Sequence, residues 1–449
     1  MNTGTKNLTE GKPWKIIVLF ALPLLGSSLI QQMYSTVDLI FVGQFIGKEA
    51  SAAVGSSDLL VTCIVGLFTG ISVGSGVVAA QAFGQKDEKT LHKVIQTAFF
   101  FGLIGAVVLM AAGILLAPTF LRWLDTPEEV FDMALTYLRI YFAGIIGLVE
   151  YNLCSGIVRS LGDSRAALKF QVIGGLVNIV VDFLLIVVFR MGIAGAALAT
   201  IGAQIVSAAM TIRYLARLRP EIALRLKEPM LDGHVLKRLL VVGIPSGVQS
   251  MVISFSNLFI QSIINSFSVD AMAAFAVYFK VEMFLYYPNL SYGQALVTYT
   301  AQNYGAGKMD RVRKGVWTTL LMSICTVAFV SVIMLICIRP VFGLFNRDPN
   351  VIADGIRVAS VTFPVYFLCT IQESMSAASK GMGKAVVPMI IVLTCMCLFR
   401  VIILKALVSV WHEIEAIAIV YPITWVLAGI AMTINYFVIM RKEKVKAAA

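Results

Sequence analysis

The chain has 449 residues and little charge: Asp, Glu, Lys and Arg make up only 14% of it, against about a quarter in an ordinary soluble domain. With 59% hydrophobic residues, that scarcity excludes both a water-soluble globule and a disordered chain. Histidine is nearly missing. His92, His234 and His412 stand far apart in polar connections, so no imidazole-based metal site is expected. The seven cysteines are an odd set spread through apolar stretches, without a CxxC, and imply neither a disulfide framework nor zinc. No GxxxxGK[ST] string occurs, which removes a phosphate-cradling loop and with it nucleotide hydrolysis as an energy source. Gly70–Gly74 reads GISVG, formally a GxSxG pattern, but no histidine lies at its depth to serve as base. No enzymatic activity and no cofactor are expected. The opening MNTGTKNLTEGKPWK lacks the short apolar core and cleavage site of a signal peptide, so the first hydrophobic run is expected to be a span.

What the chain has instead is long apolar runs, with a mean hydropathy of +0.86. A bilayer core of about 30 Å takes about 20 residues of helix. Twelve runs of that length or more are present: 16–42, 52–82, 94–117, 130–158, 166–189, 193–215, 239–266, 271–301, 316–338, 352–379, 386–410 and 414–440. Most of the 36 Lys and Arg residues fall in the N-terminus, the even-numbered connections and the C-terminus, which the positive-inside rule assigns to the cytoplasm. The net charge of +11 is therefore a topology signal and an attraction to anionic lipid headgroups; no nucleic-acid partner is needed to explain it. A prokaryotic plasma membrane, crossed many times with both termini inside, is the expected location.

The second half of the chain repeats the first at an offset near 222. Pro23 answers Pro245, GKEASAAVG (47–55) answers VDAMAAFAV (269–277), AQAFGQKD (80–87) answers AQNYGAGK (301–308), and RSLGDS (159–164) answers KGMGKA (380–385). The expected fold is an all-α integral membrane protein of twelve transmembrane helices in two pseudo-symmetric six-helix bundles: residues 1–219, a cytoplasmic linker 220–235, and residues 236–449. Six helices per half is an even number, so both halves start on the same side. Duplicated bundles about a midplane cavity are the architecture of a secondary transporter.

Six acids fall inside the runs more than three residues from either end: Asp38, Asp58, Glu150, Asp182, Glu282 and Glu373. A charge there is costly and commonly faces a cavity. Gln31, Tyr34 and Asp38 share one helical face, and Asn178 with Asp182 stack one turn apart in the aliphatic VNIVVDFLL. An acid with an amide one turn away can hold a small cation or a shared proton. Glu282 lies near Lys280 in sequence but on another face, leaving Arg400 or another helix as its partner. Gly66, Gly70 and Gly74 form a GxxxGxxxG stripe suited to close helix packing.

The order and spacing of Pro23, YSTVDLIFVGQFIG, RSLGDSRAA and QNYGAGK resemble the multidrug and toxic compound extrusion (MATE) family over essentially the whole chain. Within it, the sequence is most similar to the prokaryotic branch named after the DNA-damage-inducible F protein. The resemblance implies export of organic, often cationic compounds in exchange for H⁺ or Na⁺. It places cation coupling at Asp38, Asn178, Asp182 and Thr200, where Na⁺ could also bind. Gln31, Tyr34 and a tyrosine of the fourth span, Tyr137 rather than Tyr141, are expected to line the cavity, and Glu282 to contribute from the second half. The NorM-type branch instead carries acids in spans seven and ten; here span seven has none and span ten only Glu373. Small organic substrates and membrane lipid are the expected partners, and a monomer the expected state. The alternative is a flippase for lipid-linked headgroups, which would want several cavity cations; only Arg139, Lys280 and Arg400 qualify.

Overall fold

In a computed structural model that describes residues 6–448, without the side chains of residues 58–60 and 447–448, the chain is helical throughout, with no strand among the described residues. The Asp58 side chain thus lies outside the described residues. Sixteen helices follow one another: α1 (Pro13–Phe41), α2 (Lys48–Gln85), α3 (Glu88–Trp123), α4 (Glu128–Ala143), α5 (Ile145–Ser160), α6 (Ser164–Asp182), α7 (Gly192–Ala216), α8 (Gly233–Ile264), α9 (Val269–Gly305), α10 (Met309–Ile336), α11 (Ile338–Phe345), α12 (Pro349–Thr362), α13 (Phe367–Gly381), α14 (Val386–Val392), α15 (Arg400–Val410) and α16 (Ile414–Ala448). Acid and hydroxyl caps start several of them. Asp87 accepts from the Thr90 amide at 3.0 Å, Asp163 from Ala166 at 2.9 Å and Ser268 from Ala271 at 3.0 Å, each satisfying a first-turn N–H that has no partner in its helix.

Among the described residues, nine helical stretches are long and apolar enough to cross a membrane, and two bent pairs would make eleven. The pairs are α4 with α5, bent by 49°, and Pro349–Val365 with α13, bent by 52°. Gly144 separates the first pair and Tyr366 the second, directly after the turn Phe363–Val365, which contains Pro364. A proline ring cannot donate to the helical ladder and crowds the preceding turn. The remaining helix, α9, is 37 residues long, but Asp270, Lys280 and Glu282 with a series of tyrosines and amides lower its hydropathy. Counted with the other eleven by its length alone, it matches the run expected at 271–301.

Three passes contain a π-helical segment: Val42–Ile46 after α1, Phe183–Val188 after α6, and Leu393–Phe399 between α14 and α15. Such widened turns concentrate at functional sites.

Two compact units emerge, and their edges differ from the halves expected. The first comprises Met1–Leu8 and Gly26–Gly247, the second Thr9–Leu25 and Val248–Ala449. In α1 and in α8 the division falls just after the internal proline, Pro23 or Pro245. Within the first unit the opening of α8 packs on α2. A Cβ on Gly70 would sit 2.0 Å from the Gly247 amide nitrogen, so only a hydrogen fits there. The GxxxGxxxG stripe is a packing surface.

Residues 220–235 pack within the first unit. Ile222, Ala223 and Leu224 are buried, and the Leu224 amide donates to the Leu215 carbonyl at 3.1 Å. Gln96 donates to the Arg225 carbonyl at 3.3 Å, and the Asp232 amide to Thr97 Oγ1 at 3.1 Å. One Asp232 oxygen accepts from the His234 and Val235 amides, capping α8, while the other meets Lys93 Nζ at 2.9 Å. The Lys93 ammonium, with those amides, holds the Asp232 carboxyl below the usual carboxylate range. Alternating leucines and alanines in ARLRPEIALRL gave the segment an apolar side, and α3 supplies the surface that buries it.

Candidate functional site

In the first unit, four helices bring polar side chains together at the depth of apolar spans. Along α6, Gln171, Asn178 and Asp182 recur at steps of seven and four and share a face. Tyr34 and Asp38 do the same on α1, and Thr200 and Gln204 on α7. Asn178 and Asp182 are fully buried. The Asp38 and Asp182 carboxyl groups are neighbours, close enough for each to act on the other's charge. Asp38 therefore points inward, not toward an aqueous end of its helix.

The pair lacks donors. Neither oxygen of Asp182, nor Asp38 Oδ1, nor either polar atom of Asn178 has a hydrogen-bond partner. Leaving such groups unmet in a low-dielectric interior costs about 1–3 kcal/mol each, more for charged ones. Two ionised carboxylates face to face also repel. A proton shared between them, or a small monovalent cation with the Asn178 carbonyl, satisfies both deficits at once.

Beside the pair lies a cavity of ≈ 10 Å³, lined by Tyr34, Gln171, Asn178, Thr200, Gln204 and Ser207 among others; that is about the space one water needs. Gln171 donates to the Tyr34 hydroxyl at 3.3 Å and accepts a short hydrogen bond from Tyr151. The Gln204 amide also faces the Tyr34 hydroxyl. Tyr34 fits because α6 has no side chain opposite it: a Cβ on Gly175 would stand 3.0 Å from Tyr34 Cδ1. The Thr200 hydroxyl donates to the Ala196 carbonyl at 3.1 Å, which leaves its oxygen lone pairs free to face the cavity.

Of the residues named from sequence, Tyr34, Asn178 and Thr200 line this cavity; Asp38 and Asp182 sit one helical turn beyond Tyr34 and Asn178. Gln31 shares the α1 face but is exposed. Tyr137 stands elsewhere, buried in the apolar core and stacked on Tyr141 at 6.2 Å. The fourth-span tyrosine of the polar cluster is Tyr151, whose position beyond the bend at Gly144 puts it opposite α6. Sequence reading missed Tyr151, Gln171 and Gln204. The two glutamines carried a usable signal, since each extends by a helical step the face of a residue already selected.

Glu150 is buried within the same unit, with Cys154 Sγ 3.7 Å from its Oε2 and Gly102 of α3 so close that a Cβ there would lie 2.8 Å from Oε1.

The second unit has a different cluster. Glu282 accepts from the Tyr366 hydroxyl at 2.9 Å, and among the described residues no ion pair joins it to Arg400. The Arg400 side chain, 2% exposed, donates to Thr424 Oγ1 at 3.1 and 3.3 Å and lies over the Tyr421 ring at 5.0 Å. Its remaining polar contact is Met396 Sδ at 3.6 Å. Glu373 packs against the α9 backbone, where a Cβ on Gly293 would come within 2.8 Å of its Oε1. No group of three or more His, Cys, Asp or Glu side chains able to hold a metal occurs among the described residues.

Comparison with known proteins places this geometry. The MatE family model matches residues 23–184 and 245–404, that is, the two repeated halves. The chain is 30% identical over 352 residues to the probable multidrug resistance protein YpnP of Bacillus subtilis (strain 168), covering 78% of each chain. It is 26% identical over 399 residues to the probable multidrug resistance protein YoeA of the same organism, covering 86% of this chain and 85% of that one. A crystal structure of MATE in the bent conformation superposes with a TM-score of 0.93 at 23% identity, over the whole of both chains. With both halves matched by the family model and the fold shared, the chain belongs to the MatE family of membrane transporters.

Proposed function

We propose that this protein is a secondary multidrug exporter in which the Asp38–Asp182 pair exchanges a coupling ion for an organic, cationic or amphipathic compound by alternating access. The observation that carries the reading is the pair itself: two carboxyl groups at membrane depth, facing one another without a donor, beside Asn178 and Thr200. When H⁺, or Na⁺ held also by Asn178 and Thr200, enters, it cancels one of the pair's negative charges and weakens the hold on an organic cation. When the ion leaves, the negative charge returns and recruits the next cation. The π segment that starts directly after Asp182 and the proline kink of α1 at Pro23 give the two carboxylate-bearing helices places to repack. The names of the relatives, both multidrug resistance proteins, support an organic substrate. The lysine and arginine distribution supports a plasma-membrane orientation with both termini cytoplasmic, and the protein acts as a monomer.

Dye efflux from vesicles with the proton and sodium gradients imposed separately tests this and names the ion. Asp38→Asn and Asp182→Asn are each expected to abolish gradient-driven efflux with expression intact. Wild-type efflux by both variants would reject the assignment.

A further inference from the structure

The second unit carries an apolar groove of ≈ 280 Å³ between α13 and α16, lined by none of the residues assigned above to ion coupling. Leu368 and Ile371 of α13 form one wall, and Gly429, Ile430 and Thr433 of α16 the other, with Trp425 closing one end. Position 429, on the α16 wall, has no side chain. A Cβ there would meet Ile371 at an ordinary 3.7 Å, so the space is open and not already claimed by a neighbour.

The helical rows that wall it lead to charge. Through steps of four, Gly429 and Thr433 continue to Phe437 and Arg441, and Ile430 continues by way of Ile434 and Val438 to Lys442. Ile430, Ile434 and Phe437 are all more than half exposed, so the apolar track is unbroken from the groove to the two cations. From Thr433 to Arg441 the rise is about 12 Å, and from Trp425 to Arg441 about 24 Å. Arg441 and Lys442 are exposed, and among the described residues neither takes part in an ion pair. The nearby Glu443 does not neutralise them, because Lys384 and the Tyr304 hydroxyl occupy its two oxygens.

We propose that this groove is a binding site for an anionic phospholipid, its phosphate held by Arg441 and Lys442 and one acyl chain lying along α16 into the groove beneath Trp425. The charge selects the headgroup and the length selects the occupant. A track of this extent with cations at one end fits a long chain bearing a phosphate, and a compact cationic drug would be repelled at its mouth. A cation near an anionic lipid surface is worth about fivefold in binding, so the two together are worth on the order of twentyfold or more.

Native mass spectrometry tests this on the full-length protein, released from micelles holding equal amounts of phosphatidylglycerol and phosphatidylcholine. Wild type is expected to retain phosphatidylglycerol preferentially. Arg441→Gln with Lys442→Gln is expected to lower that affinity by on the order of tenfold or more and leave phosphatidylcholine unchanged. Gly429→Leu, which fills the groove, is expected to reduce retention of both lipids. Should Gly429→Leu fail to fold, the double charge variant, altering only exposed side chains, decides alone. Equal retention of the two lipids by wild type, or undiminished phosphatidylglycerol preference in the charge variant, overturns the proposal. So does a Gly429→Leu protein that loses dye efflux while wild type shows no headgroup preference, since the groove would then belong to the exported compound.

Discussion

The two units meet the same problem, ionisable groups at membrane depth, in opposite ways. In the first, Asp38 and Asp182 share one sign and confront each other among neutral amides and hydroxyls, with three of their four oxygens lacking a donor. In the second, Glu282 and Arg400 carry opposite signs, do not join, and are each met by hydroxyls or aromatic rings. The backbone frame is nonetheless shared. The fourth and tenth passes are both broken, by 49° and 52°, and the fifth and eleventh both contain a π segment. One π segment begins directly after Asp182 and the other ends directly before Arg400. The duplicated frame is set by backbone hydrogen bonding and by prolines and glycines, which leaves the charge placed on it free to differ. An unsatisfied anionic pair calls for a mobile cation. A self-satisfied arginine does not.

Breaking the anionic pair gives the largest expected effect. Because the two carboxylates act as one site, Asp38→Asn, Asp182→Asn and the double variant should all lose efflux to the same extent, by more than about tenfold, instead of multiplying; initial rates of dye efflux at matched expression check this. If the double variant is far worse than either single one, the carboxylates work separately. Removing the cation of the second unit should matter less. Arg400→Met keeps much of the side-chain volume, and exchanging a buried charge for an apolar group of similar size is often neutral or stabilising. Its efflux should stay within about threefold of wild type and its thermal midpoint should not fall. A loss as deep as that of Asp182→Asn would erase the contrast between the units.

A finer probe is Gly175→Ala, whose new methyl presses on the Tyr34 ring and strains its contact with Gln171. Overpacking of this kind costs about 1–3 kcal/mol, so a lowered midpoint with partial efflux is expected, whereas Gly429→Ala in the second unit should change neither. The smallest effect concerns Asp232. Its folded-state ionisation is favoured by Lys93, so the stability it adds is present above the ordinary carboxylate range and lost as pH falls through the depressed folded value. Asp232→Asn keeps the cap on α8 and loses only the ion pair. Its slightly reduced midpoint at neutral pH should converge on wild type in acid, and a deficit that persists there would assign the loss to packing.

Much of this was legible in the sequence because bilayer physics is strict. Twelve apolar runs had to be helices, since lipid satisfies no backbone group, and the pairing of Asn178 with Asp182 follows from one helical turn. Which acids meet was not legible: that Asp38 reaches Asp182 depends on how α1 and α6 pack. For the fourth-span tyrosine the sequence offers Tyr137 over Tyr141 but no sign of Tyr151, which lies beyond the bend at Gly144 and so has different surroundings. That the connection around Ile222 is packed was not legible either, because its burial depends on meeting the core cluster that Leu91, Val94 and Ile95 join. The π segments leave no compositional trace, as FLLIVV would serve equally well in a regular helix.

Those widened turns have a further consequence for how the chain tolerates change. A π turn accommodates one residue more than an α turn, so a single deletion within 183–188 or 393–399 can be absorbed by tightening, with both flanks keeping their seats. Elsewhere in the same passes, a deletion would spin everything beyond it by about 100° and pull lipid-facing side chains into the core. The chain holds its slack beside Asp182 and Arg400, and a shortened variant that still inserts and folds but no longer transports would show what that slack is for.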